Sequence, residues 1–280
     1  METGQKIIQT NSKIIQNKYF VLSIQVSLSG LSFCILNTDS NTIEYFKRLT
    51  FDKKIAPPEV LDKLIHSFNT ESELQQNFKS IKIIYENELS ALVPKPLFNK
   101  DCLADYLKFN SKILKTDYIT YDPVLTNDSV NVYVPYVNIN NYIYDRFGEF
   151  EFKHFSTILI ESILTIEKHS SSTKMYVNVC VSHFEIIIVE NNLLKLYNTF
   201  EYSTKEDFIY YILFAAEQLQ LNPEEFQLHL IGTVNTEDDL YKIAYKYIRN
   251  VKIHTPQYKY NSSAEIKSKL LNEFIILNSF

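Results

Sequence analysis

Glycine is the residue that this sequence most clearly lacks. The chain has four glycines, Gly4, Gly30, Gly148 and Gly232, among 280 residues. A loop that cradles phosphate brings several backbone N–H groups close to the phosphate oxygens. Such close approaches usually require glycine, because it has no Cβ. The scarcity of glycine therefore counts against a phosphate-binding loop of the usual kind.

An excess of positive charge and a long apolar run are also missing. The chain has 28 lysines and arginines against 33 aspartates and glutamates, for a formal net charge of −5. Electrostatic binding to nucleic acid needs clustered lysine and arginine, so we expect no nucleic-acid partner. No apolar run approaches the ~18 residues that a membrane-spanning helix requires, so we expect no membrane span.

The chain contains three cysteines, an odd number, and they are widely spaced. Cys34 and Cys180 lie within apolar runs, a setting that favours packed, reduced thiols. Residues 1–4 are acidic and polar, unlike the basic and apolar regions of a secretory signal. Together these features predict a cytoplasmic protein without disulfide bonds.

What the sequence does contain is a long-range repeat of alternating apolar residues. Residues 17–52 and 174–203 follow one pattern, with a turn in the second copy that is shorter by two residues. The aligned positions are Ile24, Val26, Leu28, Leu31, Phe33, Ile35, Ile43, Tyr45, Leu49 and Phe51 in the first copy and Val177, Val179, Val181, Phe184, Ile186, Ile188, Leu194, Leu196, Phe200 and Tyr202 in the second. Such alternation is typical of half-buried strands, and its repetition predicts a duplicated subdomain.

The rest of the sequence completes each half in the same order. Apolar periodicity and turn residues predict three meandering strands, a helix, a strand, a helix and a further strand in both halves. We therefore predict an α/β protein of two subdomains, residues 1–149 and 150–280, each with a mixed sheet flanked by helices. Residues 1–16 are polar and are expected to form a loose strand or a tail.

This order, found twice in one chain, resembles that of the actin-like ATPase superfamily, which has a ribonuclease H-like fold. The chain as a whole resembles the DUF3822 family of uncharacterised Bacteroidetes proteins. The residues that carry this closer resemblance are 22–35, LSIQVSLSGLSFCI, and 228–232, LHLIG. The resemblance covers nearly the whole length. It implies a degenerate, duplicated actin-like fold with no assigned activity.

Active members of the superfamily bind phosphate in the first hairpin turn of each half, through an Asp and a Gly two residues later. The Asp holds a metal or its waters, and the Gly admits backbone N–H groups. Here the first turn, 27–30, reads SLSG and lacks the carboxylate. The second turn, 181–185, reads VSHFE and lacks both, and Phe184 is expected to hinder close approach of the backbone. The glycine pair that lies against adenosine is reduced to Gly232.

If the cleft between the halves binds nucleotide, the residues that remain to do so are Ser27, Ser29, Gly30, Ser182 and Gly232. An alternative needs no ligand, because Gly30 can supply a positive φ in a hairpin turn and Gly232 can end a strand. The missing carboxylates and glycines favour this alternative. We predict no cofactor and no catalytic residue.

Three other groupings could carry chemistry. Strand alternation places Cys180 and Ser182 on the face opposite His183, and no third group orients the histidine as nucleophilic catalysis requires. His183 and Glu185 share a face and could bind a metal, although such a pair more often lies across neighbouring strands. Residues 237–239 would suit a divalent cation, but acidic residues at a helix N-terminus are explained by the helix dipole. We predict no metal site.

A ribonuclease H-like nuclease would need several inward carboxylates on its central strands to hold metal ions. The residues expected at such positions are uncharged. They are Ser23, Gln25, Ser27, Asn178 and Ser182. The sequence therefore argues against a nuclease.

Aromatic residues are concentrated between the two halves of the repeat. The cluster comprises Tyr133, Tyr136, Tyr142, Tyr144 and Phe147. It has two interpretations: a surface that binds a partner, since tyrosine is favoured in interfaces, or part of the core of the first subdomain.

We hypothesise that the chain is a cytoplasmic pseudo-ATPase. It would keep two actin-like subdomains as a rigid scaffold and act through contact with a protein partner. The resemblance implies a precedent, because assembly proteins of pilus and secretion systems use this architecture as a docking platform. The alternative is a divergent nucleotide-binding or phosphotransfer enzyme that uses the cleft between the subdomains.

Overall fold

Two large sheets and one small sheet form the frame of the protein. The structure is a computed structural model, and it describes residues 19–254 and 259–280. The strands are β1 (Phe20–Ser27), β2 (Gly30–Asn37), β3 (Thr42–Thr50), β4 (Ser80–Glu86), β5 (Ser90–Pro94), β6 (Thr120–Val124), β7 (Ser129–Tyr133), β8 (Glu151–His154), β9 (Lys174–Val179), β10 (His183–Glu190), β11 (Leu193–Glu201), β12 (Gln227–Gly232), β13 (Asn250–Ile253) and β14 (Asn261–Ser262). The α-helices are α1 (Pro57–Thr70), α2 (Leu103–Leu107), α3 (Val137–Phe147), α4 (Phe155–Ile166), α5 (Lys205–Gln218), α6 (Asp239–Tyr247), α7 (Ala264–Lys269) and α8 (Phe274–Leu277). The predicted tail at residues 1–16 lies outside the described residues.

The two large sheets share one strand order, which confirms the predicted fold class. The first sheet runs β14-β3-β2-β1-β4-β8 and the second runs β11-β10-β9-β12-β13. In each sheet the three strands of the repeat, β1–β2–β3 and β9–β10–β11, pair antiparallel, and the next two strands of that half add in parallel. The first sheet has β14 as a sixth strand, parallel to β3. Both sheets also have a register shift in the pairing of the second and third strands of the repeat, at Ile35/Leu36 and at Ile188/Val189. These two sites correspond in the repeat, so the duplication extends to an irregularity of the backbone.

Strand pairing crosses the division predicted between residues 149 and 150. β8 begins at Glu151 and pairs parallel with β4, so it completes the first sheet. Near the end of the chain, β14 pairs with β3 at the opposite edge of the same sheet. β8 has four residues, of which only His154 is buried. Its sequence pattern is too short to assign it to either half.

The helices lie in three layers around the two sheets. α1 and α3 cover the outer face of the first sheet, and α5 and α6 cover the outer face of the second. α4 and α8 lie between the inner faces of both sheets in one continuous apolar cluster. α4 is apolar on most of its circumference, as a helix buried on all sides should be. Among the described residues, no helix is long and apolar enough to cross a membrane.

The C-terminal segment, residues 270–280, does not continue the helix that precedes it. Ser263 caps α7, accepting a hydrogen bond from the backbone N–H of Ile266, and α7 ends at Lys269. The chain then turns, and α8 follows as a separate short helix whose four residues are all buried. A continuous helix would turn part of this apolar run to solvent, whereas the break buries it completely between the sheets.

The third sheet, with order β5-β7-β6, belongs to a small unit inserted between β4 and α3. Together with α2 it has its own apolar cluster. The buried carboxylate of Asp122 joins this unit to the start of α4. It accepts hydrogen bonds from the Tyr133 hydroxyl at 3.0 Å, the Thr157 hydroxyl at 2.9 Å and the His154 backbone N–H at 2.8 Å. Since a buried polar group is stable only when it is paired, this network fixes the unit on the frame.

Candidate functional site

The first hairpin turns of the two halves face one another across a cleft of about 420 Å³. The turn of the first half, residues 27–30, joins β1 to β2, and the turn of the second half, residues 180–183, leads from β9 into β10. Four of the predicted site residues, Ser27, Ser29, Gly30 and Ser182, line this cleft. The structure therefore brings together residues that are 155 positions apart, from Ser27 to Ser182.

In the first turn the serine hydroxyls bond within the turn itself. The Ser27 Oγ lies 3.1 Å from the Ser29 Oγ and donates to the Gly30 carbonyl at 3.2 Å. The suggestion that Gly30 supplies a positive φ is wrong, since the positive-φ glycines of the described residues are Gly148 and Gly232. A Cβ at Gly30 would instead lie 2.5 Å from the carbonyl oxygen of Leu49. The close approach of β2 to β3 therefore explains why residue 30 is a glycine.

The second turn is open at its tip. Val181 is 83% exposed, and the turn is held by the Tyr202 hydroxyl, which donates to the Cys180 carbonyl at 2.8 Å. The expectation that Phe184 hinders approach to this turn is wrong. Its side chain is buried in the core of the second half, where its ring centroid lies 4.8 Å from that of Phe208. Alternation along β10 directs this side chain away from the cleft.

Gly232 lies apart from the other four residues. It lines a smaller, adjoining space of about 40 Å³, which Glu273, Phe274 and other residues of the C-terminal segment also line. Its φ is +84°, and a Cβ there would collide with the Val179 carbonyl oxygen. A space of this size can hold water but is far below the hundreds of Å³ typical of ligand pockets. It is therefore too small for the contact with adenosine that the resemblance implies for Gly232.

Three carboxylates and an arginine lie in and beside the cleft, which Asp52, Lys53 and Lys54 also line. Of the three carboxylates, the sequence pointed only to Glu185. Glu86, at the carboxyl end of β4, accepts from the Gln25 side-chain amide at 2.7 Å. Glu185, fully buried on β10, accepts from the Asn178 amide at 2.7 Å. Gln25 and Asn178 are two of the uncharged residues that argued against a nuclease, and each donates a hydrogen bond to a carboxylate. The signal for Glu86 was its place directly after the apolar strand 81–85.

Glu273 is the third of these carboxylates, and it comes from the C-terminal segment. It forms an ion pair of 2.9 Å with Arg48 of β3. Burial raises the pKa of Glu273 to about 7, with Arg48 opposing this effect and Glu86 adding to it. No local sequence pattern could place this residue, because its position depends on the fold of the whole chain.

Cys180 and His183 lie on the same side of the turn, contrary to the prediction from strand alternation. β9 ends at Val179, so alternation stops before Cys180. The structure also supplies a third group that can orient His183, a role that the sequence did not reveal. It is Glu185, whose Oε1 lies 3.3 Å from the His183 Nε2. Burial and then the charges of Glu185 and Glu86 raise the pKa of the Cys180 thiol well above its ordinary value. A nucleophilic cysteine needs a lowered pKa, so this geometry does not favour nucleophilic catalysis.

Burial disfavours the charged form of His183, but the neighbouring Glu185 carboxylate outweighs burial and raises the pKa of His183. The acidic residues at 237–239 lie elsewhere, at the start of α6, where Asp239 forms an ion pair of 3.1 Å with Lys205. They are therefore not part of the cleft.

The aromatic cluster of residues 133–147 is mostly core. Tyr133 and Tyr136 are buried, and Tyr142 and Phe147 pack against the same apolar cluster of the first half. Only Tyr144, at 61% exposed, faces solvent. The interpretation of this cluster as a partner-binding surface is therefore wrong for four of its five residues.

The sequence matches the family model described as "Protein of unknown function (DUF3822)" over residues 9–251. The chain belongs to the DUF3822 family. No curated protein matches this DUF3822 chain.

Solved structures agree on the fold. A Bacteroides thetaiotaomicron protein of actin-like ATPase fold and unknown function is 25% identical, with a TM-score of 0.77 over 92% of this chain and 98% of that chain. The PilM–PilN type IV pilus biogenesis complex contains a chain 11% identical, with a TM-score of 0.60 over 93% of this chain and 97% of that chain. This DUF3822 protein therefore has an actin-like ATPase fold.

Gly232 and Gly148 form a matched pair for testing how tightly the adenosine position is packed. Both have a positive φ, but a Cβ at Gly148 meets no atom within 4 Å. We expect Gly148→Ala to lower the free energy of unfolding by about 1–3 kcal/mol, because its φ of 81° and ψ of −139° lie in a region that few residues other than glycine adopt. Gly232→Ala should cost about 1–3 kcal/mol more, because the new methyl group overpacks the contact with β9. Equal losses in chemical denaturation would contradict the close packing at Gly232.

Proposed function

We propose that this DUF3822 protein is a pseudo-ATPase: an actin-like fold kept as a cytoplasmic scaffold that binds a protein partner and carries out no catalysis. The observation that carries the proposal is the small size of the space beside Gly232, about 40 Å³. Residues of the C-terminal segment line this space, and the larger part of the cleft lies at the hairpin turns.

The hairpin turns support the same conclusion. Neither hairpin turn offers an aspartate to a phosphate-bound metal, and the first turn's hydroxyls bond to one another. The cleft is lined by the carboxylates of Asp52 and Glu86 and also by Arg48, Lys53 and Lys54. Of these cations, Arg48 is already paired with Glu273. The missing phosphate-binding groups, and not the net charge of the cleft, therefore disfavour a triphosphate.

The PilM–PilN complex supplies a precedent for partner binding. Its name describes a protein of this fold in a complex that serves type IV pilus biogenesis. That description applies to PilM and PilN, and at 11% identity the likeness shows the fold alone. It supports the present proposal only as evidence that an actin-like fold can act through a protein partner.

The small unit around β5, β6 and β7 is the surface we propose for the partner. Apolar side chains that are 41% to 83% exposed are concentrated in its loops: Leu97, Phe109, Leu114, Tyr118, Tyr121 and Leu125. Single exposed apolar residues are ordinary, but a concentration of them marks interaction surfaces. The buried network of Asp122 holds this unit firmly on the frame, so its loops are presented in a fixed position.

Nucleotide binding is tested by thermal unfolding with millimolar ATP and Mg²⁺, with Mg²⁺ alone as the control. We expect no change in the midpoint, because a ligand that binds the native state must raise it. A rise caused by ATP and abolished by Ser182→Glu, which adds a negative charge to the cleft, would favour the alternative of a divergent nucleotide-binding or phosphotransfer enzyme.

Partner binding is tested with a double variant of the small unit, Phe109→Ser with Leu125→Ser. Both side chains are exposed, so the free energy of unfolding should change by no more than about 0.5 kcal/mol per site. We expect cross-linking in cells to capture a partner with the native chain but not with this variant. The matched control is Tyr210→Ser with Phe214→Ser, two exposed aromatic residues of α5. Equal capture by both double variants, or no partner at all, would contradict the proposal.

A further inference from the structure

Glu86, Cys180 and His183 bring three different metal-binding groups together in the cleft. A carboxylate oxygen, the Cys180 Sγ and a ring nitrogen of His183 all lie within 4.8 Å of one another, and all three residues are partly buried. Within residues 19–254 and 259–280, this is the one group of three or more histidine, cysteine and acidic residues with such spacing. Glu86 comes from the first half and the other two residues come from the second.

We propose that these three residues bind a divalent transition-metal ion, with Zn²⁺ as the best match. Thiolate, imidazole and carboxylate are the ligands that Zn²⁺ prefers, whereas Mg²⁺ and Ca²⁺ take oxygen ligands. In a tetrahedral zinc site the ligand atoms lie about 3.5 Å apart, given metal–ligand distances of about 2.0–2.3 Å. Binding therefore requires the three groups to close by little more than an ångström. The thiol proton of Cys180 is released when the ion binds.

An unpartnered buried atom beside the cluster supports this proposal independently. Glu185 is fully buried, and its Oε1 has no hydrogen-bond donor although the His183 Nε2 lies 3.3 Å away. Leaving a buried carboxylate oxygen unpaired is costly. A histidine that binds a metal usually donates its other ring N–H to a carboxylate. With the ion on the ring nitrogen that does not face Glu185, the remaining N–H is directed to this oxygen.

The amides of the central strands complete the arrangement. Gln25 donates to the Glu86 Oε2, which leaves Oε1 of the same carboxylate available for the ion. Asn178 donates to the Glu185 Oε2 and so fixes the carboxylate that orients His183. Because the three ligands come from both sheets, the ion would link the two halves. This inference is independent of the proposed function, since it holds whether or not the protein has a partner.

The test uses the full chain after removal of metal with a chelator, followed by titration with Co²⁺ and then Zn²⁺. We expect one Co²⁺ per chain, with the sulfur-to-cobalt charge-transfer absorption that reports a thiolate ligand, and displacement by Zn²⁺. Cys180→Ser should lose this absorption. Cys102→Ser should retain it, because Cys102 lies on the small unit outside the cleft. Glu185→Gln should retain the absorption but weaken affinity about 10–100-fold, as expected for a carboxylate that orients a metal ligand.

Three results would overturn the proposal. The first is the absence of bound Co²⁺ or Zn²⁺ at micromolar concentrations, and the second is a charge-transfer absorption that persists in Cys180→Ser. Glu86→Gln is a second variant for the case in which Cys180→Ser fails to fold. It keeps the Cys180 thiol and nearly preserves the shape of the Glu86 side chain. It should weaken binding while the far-ultraviolet circular dichroism stays native, and unchanged affinity in this variant would also overturn the proposal.

Discussion

The burial of α4 and α8 between the inner faces of the two large sheets is the constraint on which the rest of the structure depends. Both sheets are apolar on both faces, so neither half could be separated without exposing a large apolar area, and each Å² of that area is worth about 25 cal/mol. Polar contacts fix the end of the chain in place. The Ser279 hydroxyl lies 2.7 Å from that of Ser23, and Lys82 donates to the Ser279 carbonyl at 2.9 Å.

This constraint also decides the chemistry of the cleft. The turn that leads into α8 carries Glu273 to Arg48 and lines the small space beside Gly232. The rest of the cleft contains possible metal ligands, because side chains of Glu86, Cys180 and His183 lie close together there and Glu185 contacts His183. Such a set suits a metal ion far better than a polyphosphate.

Local patterns were enough to predict the frame, and long-range packing accounts for what they missed. The repeat predicted the hairpins and strand order, because alternation of apolar residues is a local property of each strand. The membership of β8 in the first sheet, the separate helix α8 and the ion pair of Glu273 all depend on residues far apart in the chain. The reason for Gly30 was missed in the same way, since the carbonyl of Leu49 comes from the neighbouring strand. Among the site residues, four of the five predicted positions share the cleft, whereas Glu86 and Glu273 did not stand out in the sequence.

The most direct measurement of the central claim is native-state hydrogen exchange at the backbone amides of Leu277 and Asn278. These amides donate to Glu273 and Phe274 within the last helix, and a short helix has little stability of its own in water. Protection comparable to that of the central strands β1 and β9 is expected if α8 is a buried part of the core. Exchange as fast as that of an exposed loop would show that the C-terminal segment does not hold the two halves together, and would contradict this account.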